Sequence, residues 1–177
     1  RTRAAYCLMF ETDGGPKMSR IKIPEGTGGD PAQVWSMRPE FGRASLALIH
    51  ESKNNSMLPN REREAARARI AELNSCPLCL DWRSDELRDE GVDEDLYKHV
   101  SEWRTWPGYT ERERLAIEFG ERFVEDHQNM DDEWFEQLRN AFSDEEIVDL
   151  TLCCGTYLAF GRFLNVLQLE TCEVAQR

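Results

Sequence analysis

Glu64-Ala-Ala-Arg-Ala-Arg-Ile-Ala-Glu-Leu-Asn-Ser-Cys76-Pro-Leu-Cys79 joins a run of strong helix formers to a fresh helix start. The run begins near Asn60, and Ala65, Ala68, Ala71 and Leu73 give it a face suited to close helix packing. Asn74-Ser75 should end it. Cys76-Pro77 should open a new helix, because proline is tolerated in a first turn and not deeper, and that helix is expected to reach about Asp89. One unbroken helix would hold Glu64 and Cys79 about 22 Å apart, since each residue rises about 1.5 Å. The break predicts a hairpin instead.

Outward from this stretch, helical periodicity dominates and strand alternation is nearly absent after Ile23, so the fold class is all-α. Asp30-Pro31 starts a short helix to about Met37, and Pro39 starts another to about Ser52. Asp93 caps a short helix after Gly91. Thr110-Glu-Arg-Glu is a capping box ahead of Leu115, Ile117, Phe119 and Phe123, and Asp131 caps a helix through Leu138. Ser143-Asp-Glu-Glu opens the longest helix. It is apolar almost all round from Ile147 to Leu167, as a helix in the middle of a bundle or at a subunit interface would be.

The 177 residues carry 22 Lys+Arg against 34 Asp+Glu, a net charge of −12. So acidic a surface repels phosphate backbones and anionic lipid, which makes nucleic acid and membrane surfaces poor partners and leaves small molecules and proteins. Thr151 to Leu169 is interrupted by Gly155, Gly161, Arg162, Asn165 and Gln168, which argues against a span of about 20 apolar residues. Residues 1–17 read as a tail rather than a signal peptide, with a single domain over 18–177 and Met18 as a candidate start. Lack of a secretion signal implies the reducing cytoplasm. There Cys7, Cys76, Cys79, Cys153, Cys154 and Cys172 are thiols, ligands or redox groups rather than structural staples.

Cys76-Pro77-Leu78-Cys79 has the most direct chemical reading. Two thiols three positions apart at a helix start share a face, with Cβ atoms roughly 5 to 6 Å apart, and modest adjustment brings them to disulfide geometry. The unpaired N–H groups there favour a thiolate and hence a nucleophile. Zinc is the competing reading, but no second C-x-x-C or H-x-x-x-H supplies the other ligands, and neither metal nor cofactor is expected. By position alone Cys76, nearest the unpaired N–H groups, should be the more activated thiol.

The same stretch resembles the signature of the carboxymuconolactone decarboxylase family and its alkylhydroperoxidase D-like members. The resemblance continues through Tyr109-Thr-Glu-Arg-Glu-Arg-Leu-Ala, Phe142-Ser-Asp-Glu-Glu-Ile-Val-Asp-Leu and Gly155-Thr-Tyr to Arg162-Phe-Leu-Asn-Val-Leu, covering about Ile21 to Glu170. It implies a helical bundle assembled as a homotrimer or homohexamer. It also implies peroxide reduction with a thiol or dithiol donor, possibly a protein. By position Cys79 attacks, Cys76 resolves, and Glu64 belongs to a proton relay, which requires the hairpin to bring Glu64 to Cys79 and Arg83. Members acting on a lactone lack the thiol pair, which this chain has. The histidines of the relay are replaced by Leu78 and Arg83. Arginine cannot accept a proton, but one helical turn beyond Cys79 its charge would favour that thiolate; the alternative is an ordinary ion pair between Arg83 and Glu64. The expected function is therefore a thiol-dependent antioxidant oxidoreductase with Cys79, Cys76, Glu64 and Arg83 as its site. A family member with another reaction, or a non-catalytic oligomeric scaffold, is the alternative.

His50, His99 and His127 have no metal or triad spacing, and His50 is the best spare proton acceptor. Cys153-Cys154 read as buried packing thiols. Trp103, Trp106 and Tyr109 read as core aromatics rather than as a wall over the thiols.

Overall fold

The computed structural model describes residues 19–26, 29–83 and 85–169. The tail at 1–17, Cys7 and Cys172 lie outside the described residues. The helices are α1 (Gly29–Ser36), α2 (Pro39–Asn54), α3 (Asn60–Leu73), α4 (Pro77–Asp81), α5 (Glu94–Lys98), α6 (Glu111–Glu125), α7 (Asp132–Ala141) and α8 (Asp144–Leu167). Short 3-10 turns lie at Asp85–Glu90, Val100–Glu102 and His127–Asn129, and no strand occurs among the described residues. The fold is all-α.

Local signals set the helix starts. Asp93 accepts from Leu96 N–H and Asp131 from Trp134 N–H. Thr110 and Glu113 satisfy each other's backbone N–H, as do Ser143 and Glu146. Each such cap answers N–H groups that a helix start leaves without an intrahelical partner.

Two compact units result: the described residues up to Ala47 with those from Phe163 on, and Leu48–Arg162. In the first, Trp35 stacks on Phe163 with ring centroids 4.9 Å apart, and Arg20 N–H donates to Leu167 O at 2.9 Å. In the second, α3 is buried on nearly every side. Ala66 and Ile70 join Ala116 and Phe119 of α6, Trp134 and Leu138 of α7, and Leu150 and Cys154 of α8 in one core. Ala65 and Ala68 join Leu96, Val100, Trp103, Tyr109 and Ile117 in a second. Where α3 meets α6, a Cβ on Gly120 would stand only 3.3 Å from the Ala66 carbonyl oxygen, so the alanine face and this glycine permit the approach.

The buried centre is thus the highly charged helix, whereas the all-round apolar α8 suggested itself from sequence. Pairing makes this possible: Arg61 meets Glu113 at 2.6 Å, Glu62 meets Arg112 at 2.8 Å, and Arg69 meets both Glu72 and Glu121 at 2.6 Å. In α8, Leu150, Cys153, Cys154, Thr156 and Gly161 are buried, while Val148 and Leu152 stay 59% and 58% exposed. Contrary to the reading of its polar interruptions, α8 is by length and composition apolar enough to cross a bilayer; here one of its faces packs into the core.

Burial alone would raise the Glu121 pKa, but hydrogen bonds from Arg104, Trp103 and Arg69 outweigh it and hold the group below the ordinary carboxylate value. Arg112 and the Ser143 backbone N–H do the same for Glu146. A carboxylate with a depressed folded-state pKa stabilises the fold above its unfolded value of about 4.3, and that contribution is lost as pH falls through the folded pKa. The urea midpoint is expected to fall as pH drops below about 4.3. Glu121→Gln should flatten that part of the profile.

Candidate active site

The hairpin forms where the sequence breaks. Asn74 N–H closes α3 onto Ile70 O at 2.9 Å, and Ser75 takes a left-handed φ of 47° while donating to Glu72 O at 2.9 Å. A single left-handed residue turns the chain out of the helix. Arg162 Nε donates to Asn74 Oδ1 at 3.3 Å, and Gly161 leaves the Asn74 side chain room that a Cβ 2.7 Å from Nδ2 would remove.

Cys76 is then the N-cap of α4, its sulfur accepting the Cys79 N–H at 3.4 Å with Pro77 in the first turn. Cys76 and Cys79 are joined as a disulfide with Cα atoms 5.3 Å apart. The two residues differ in exposure. Cys76 is 0% exposed, whereas Cys79 is half-buried.

α4 ends at Asp81 rather than continuing to about Asp89, because guanidinium groups occupy its carbonyls. Arg67 Nη1 donates to Cys79 O at 2.8 Å and Nη2 to Trp82 O at 3.3 Å, while Arg83 donates to Leu80 O at 2.6 Å and Trp82 O at 3.0 Å. Trp82 is extended, with ψ of 126°.

The fold-back brings Glu64 to this segment through Arg67, not through Arg83. Arg67 Nε meets Glu64 Oε2 at 2.8 Å, both side chains being buried, and Tyr97 OH donates to the same oxygen at 3.1 Å. Arg83 instead pairs with Glu94 at 2.9 Å and lies over the Tyr97 ring, 4.2 Å from its centroid. With the helix ended at Asp81, Arg83 is not one helical turn beyond Cys79, and an ion pair between Arg83 and Glu64 does not form. Burial would lower the Arg67 pKa, but Glu64 outweighs it, so the guanidinium stays charged. Burial and the neighbouring Glu64 push the Tyr97 phenol up. Arg67 was legible in principle, standing three positions after Glu64 on one helix face; nothing local marks Tyr97.

Other candidates fall outside this site. His50 is exposed, beside Glu51 at 3.7 Å, and His99 stacks on Trp106 with centroids 4.7 Å apart. Trp103 and Tyr109 are buried core aromatics. Burial, with Asp149 nearby, pushes the Cys153 thiol up to about 11, and burial raises Cys154 as well, so neither is an available nucleophile. No group of three or more His, Cys, Asp or Glu suited to a metal occurs among the described residues.

Known proteins share this arrangement of sequence and fold. The model of the carboxymuconolactone decarboxylase family matches residues 39–122, which include both cysteines. The uncharacterized protein YnjA of Escherichia coli (strain K12) is 27% identical over 151 residues, 83% of each chain. The uncharacterized protein YdfG of Bacillus subtilis (strain 168) is 25% identical over 130 residues, 72% of this chain and 87% of its own. Among solved structures, a protein of unknown function from Agrobacterium tumefaciens, described as a candidate antioxidant defence protein AhpD, superposes with a TM-score of 0.69 at 27% identity, covering 85% of this chain and 96% of its own. An uncharacterized peroxidase-related protein from Silicibacter sp. TM1040 superposes with a TM-score of 0.75 at 18% identity over 92% of this chain and 98% of its own, which speaks to the fold alone. With the fold and the matched stretch in agreement, residues 39–122 of this chain match the carboxymuconolactone decarboxylase family.

Proposed function

We propose that the protein is a thiol-dependent peroxidase of the alkylhydroperoxidase D-like type, working by cycles of the Cys76–Cys79 pair. The unequal exposure of the two cysteines carries this reading: Cys79 is half-buried and Cys76 fully buried, so an incoming molecule meets Cys79 first. In the reduced protein the Cys79 thiolate attacks one oxygen of a peroxide. The O–O bond breaks, the departing alkoxide or hydroxide takes a proton, and Cys79 becomes a sulfenic acid. The Cys76 thiol then displaces water from that sulfur, and the disulfide forms. Two donor thiols, or one dithiol, attack at Cys79 and return both cysteines to thiols, leaving the donor as a disulfide. The compartment we assign is the reducing cytoplasm, where such donors are kept reduced. Glu64, hydrogen-bonded by Tyr97 OH, is the group we assign to proton movement beside this chemistry.

Stopped-flow consumption of hydrogen peroxide and of tert-butyl hydroperoxide, with dithiothreitol as donor, tests the reading. Turnover at a rate set by enzyme concentration supports it. Intact peroxide, with a disulfide that still exchanges with the dithiol, would assign the pair to a different reaction.

We also propose a homo-oligomer, trimer or hexamer. Val148 and Leu152 lie one turn apart on α8 and are both exposed, an apolar strip that a second copy of the same chain would cover. Light scattering should give a multiple of 20.6 kDa. Leu152→Glu is expected to shift that mass to the monomer.

A further inference from the structure

We propose that Arg67 is a positioning residue for Cys79, holding the cysteine-bearing helix against α3 and setting a permanent positive charge beside the sulfur that must carry negative charge. The inference rests on Cys79 being the reacting thiol, as proposed above. Three observations carry it. Arg67 is buried, so its charge acts across little solvent screening. Its Nη1 donates to the carbonyl of Cys79 itself at 2.8 Å, and Nη2 to that of Trp82 at 3.3 Å, so one planar group grips α4 at its reactive residue and at its end. Its Nε is held by Glu64 at 2.8 Å, which fixes the guanidinium and partly neutralises it.

Arg83 cannot substitute for this grip. It is turned to Glu94 and to the carbonyls of Leu80 and Trp82. The charged and titratable groups around this segment include Arg67 and Glu64 from α3, Tyr97 and Glu94 from α5, Tyr157 from α8, which interacts with both Arg67 and Glu64, Arg83 and the exposed Asp81 from the segment itself, and Lys53, whose ammonium lies 5.4 Å from the Trp82 ring centroid. Of these, Arg67 is bonded to Cys79. Glu64 opposes it with negative charge, so the balance of the pair is felt at the thiol.

This arrangement makes the two partners distinguishable. Arg67→Gln and Glu64→Gln both break the same ion pair and loosen the same contact, so a purely structural role would change Cys79 in one direction for both. The positioning role predicts opposite directions. Removing the cation should disfavour the Cys79 thiolate, and removing the anion should favour it. Iodoacetamide alkylation of Cys79 in the reduced full chain, followed by mass spectrometry of the Cys79 peptide across pH, reads this without reference to peroxide turnover. At neutral pH Arg67→Gln is expected to slow alkylation about threefold or more and Glu64→Gln to speed it by a similar factor, with Arg67→Lys, which keeps the charge but not the fork, between Arg67→Gln and wild type. Shifts of the same sign in both variants, or no shift in variants of native helical content, would overturn the proposal. Should Arg67→Gln fail to fold, Glu64→Gln decides alone: unchanged or slower alkylation overturns it. A wild type that leaves peroxide intact but shows the opposed shifts would sink the peroxidase reading and keep the role of Arg67. Turnover with same-sign shifts would do the reverse.

Discussion

Cys79→Ser is expected to abolish peroxide reduction, lowering the rate by more than about 10³-fold, because the group that forms the new S–O bond is gone and a serine hydroxyl at neutral pH is a far weaker nucleophile. Cys76→Ser should behave differently. It leaves the attacking sulfur in place and removes the group that closes the disulfide, so one equivalent of peroxide is consumed in a rapid phase and turnover then stalls. The contrast follows from access. Cys76 is 0% exposed and its sulfur accepts the Cys79 N–H, so it is held where a sulfenic acid on Cys79 would be, while Cys79 is the one an external molecule can reach. Equal losses with no rapid phase in Cys76→Ser would mean that the buried sulfur reacts first. Burst amplitude against enzyme concentration is the measurement.

The second large effect is on stability. Phe119→Ala should cost about 3–5 kcal/mol, the range for deleting a buried aromatic ring whose surroundings relax only in part. Phe119 is 2% exposed and sits where α6 meets α3, with Trp134 of α7 at 6.0 Å between centroids. Against a total stability of about 5–15 kcal/mol for an ordinary domain, such a loss leaves a marginal fold. Chemical denaturation at fixed protein concentration should show a much lower midpoint with an unchanged slope. The loss bears on the site as well. α3 carries Glu64 and Arg67, and the Phe119 contacts hold it in the core. A loss below about 1 kcal/mol would mean that the ring's neighbours close over the gap.

How far the sequence could be read follows from the range of each signal. The starts of α5, α6, α7 and α8 were legible because Asp93, Thr110, Asp131 and Ser143 act within three residues of themselves. The hairpin at Asn74-Ser75 was legible for the same reason, and with it the approach of Glu64 to the cysteine segment. The end of α4 was not. Part of what stops the helix lies outside Pro77–Asp89: Arg67, from another helix, takes the Cys79 carbonyl, while Arg83 takes that of Leu80. The burial of charged α3 was hidden likewise, since Arg61 and Glu62 find Glu113 and Arg112 some fifty positions away. At the site, Cys76 and Cys79 were visible by type and spacing, and Glu64 through the family resemblance alone. The expected partner was misassigned: Arg83 matches the right position, but a helix ending early sends its side chain to Glu94 and Tyr97, and the cation on Glu64 is its own helix neighbour. Tyr97 reaches Glu64 across 33 positions, a distance at which no local pattern speaks.

The central claim is that Cys79 is the sulfur that takes oxygen from the peroxide. Dimedone trapping in the Cys76→Ser variant after one equivalent of peroxide, read by peptide mass spectrometry, tests it most directly. The adduct is predicted on Cys79, with Cys153 and Cys154 unmodified because both thiols are buried and their pKa values raised. A dimedone adduct on Cys76 in the Cys79→Ser variant, with none on Cys79 in the Cys76→Ser variant, would contradict it.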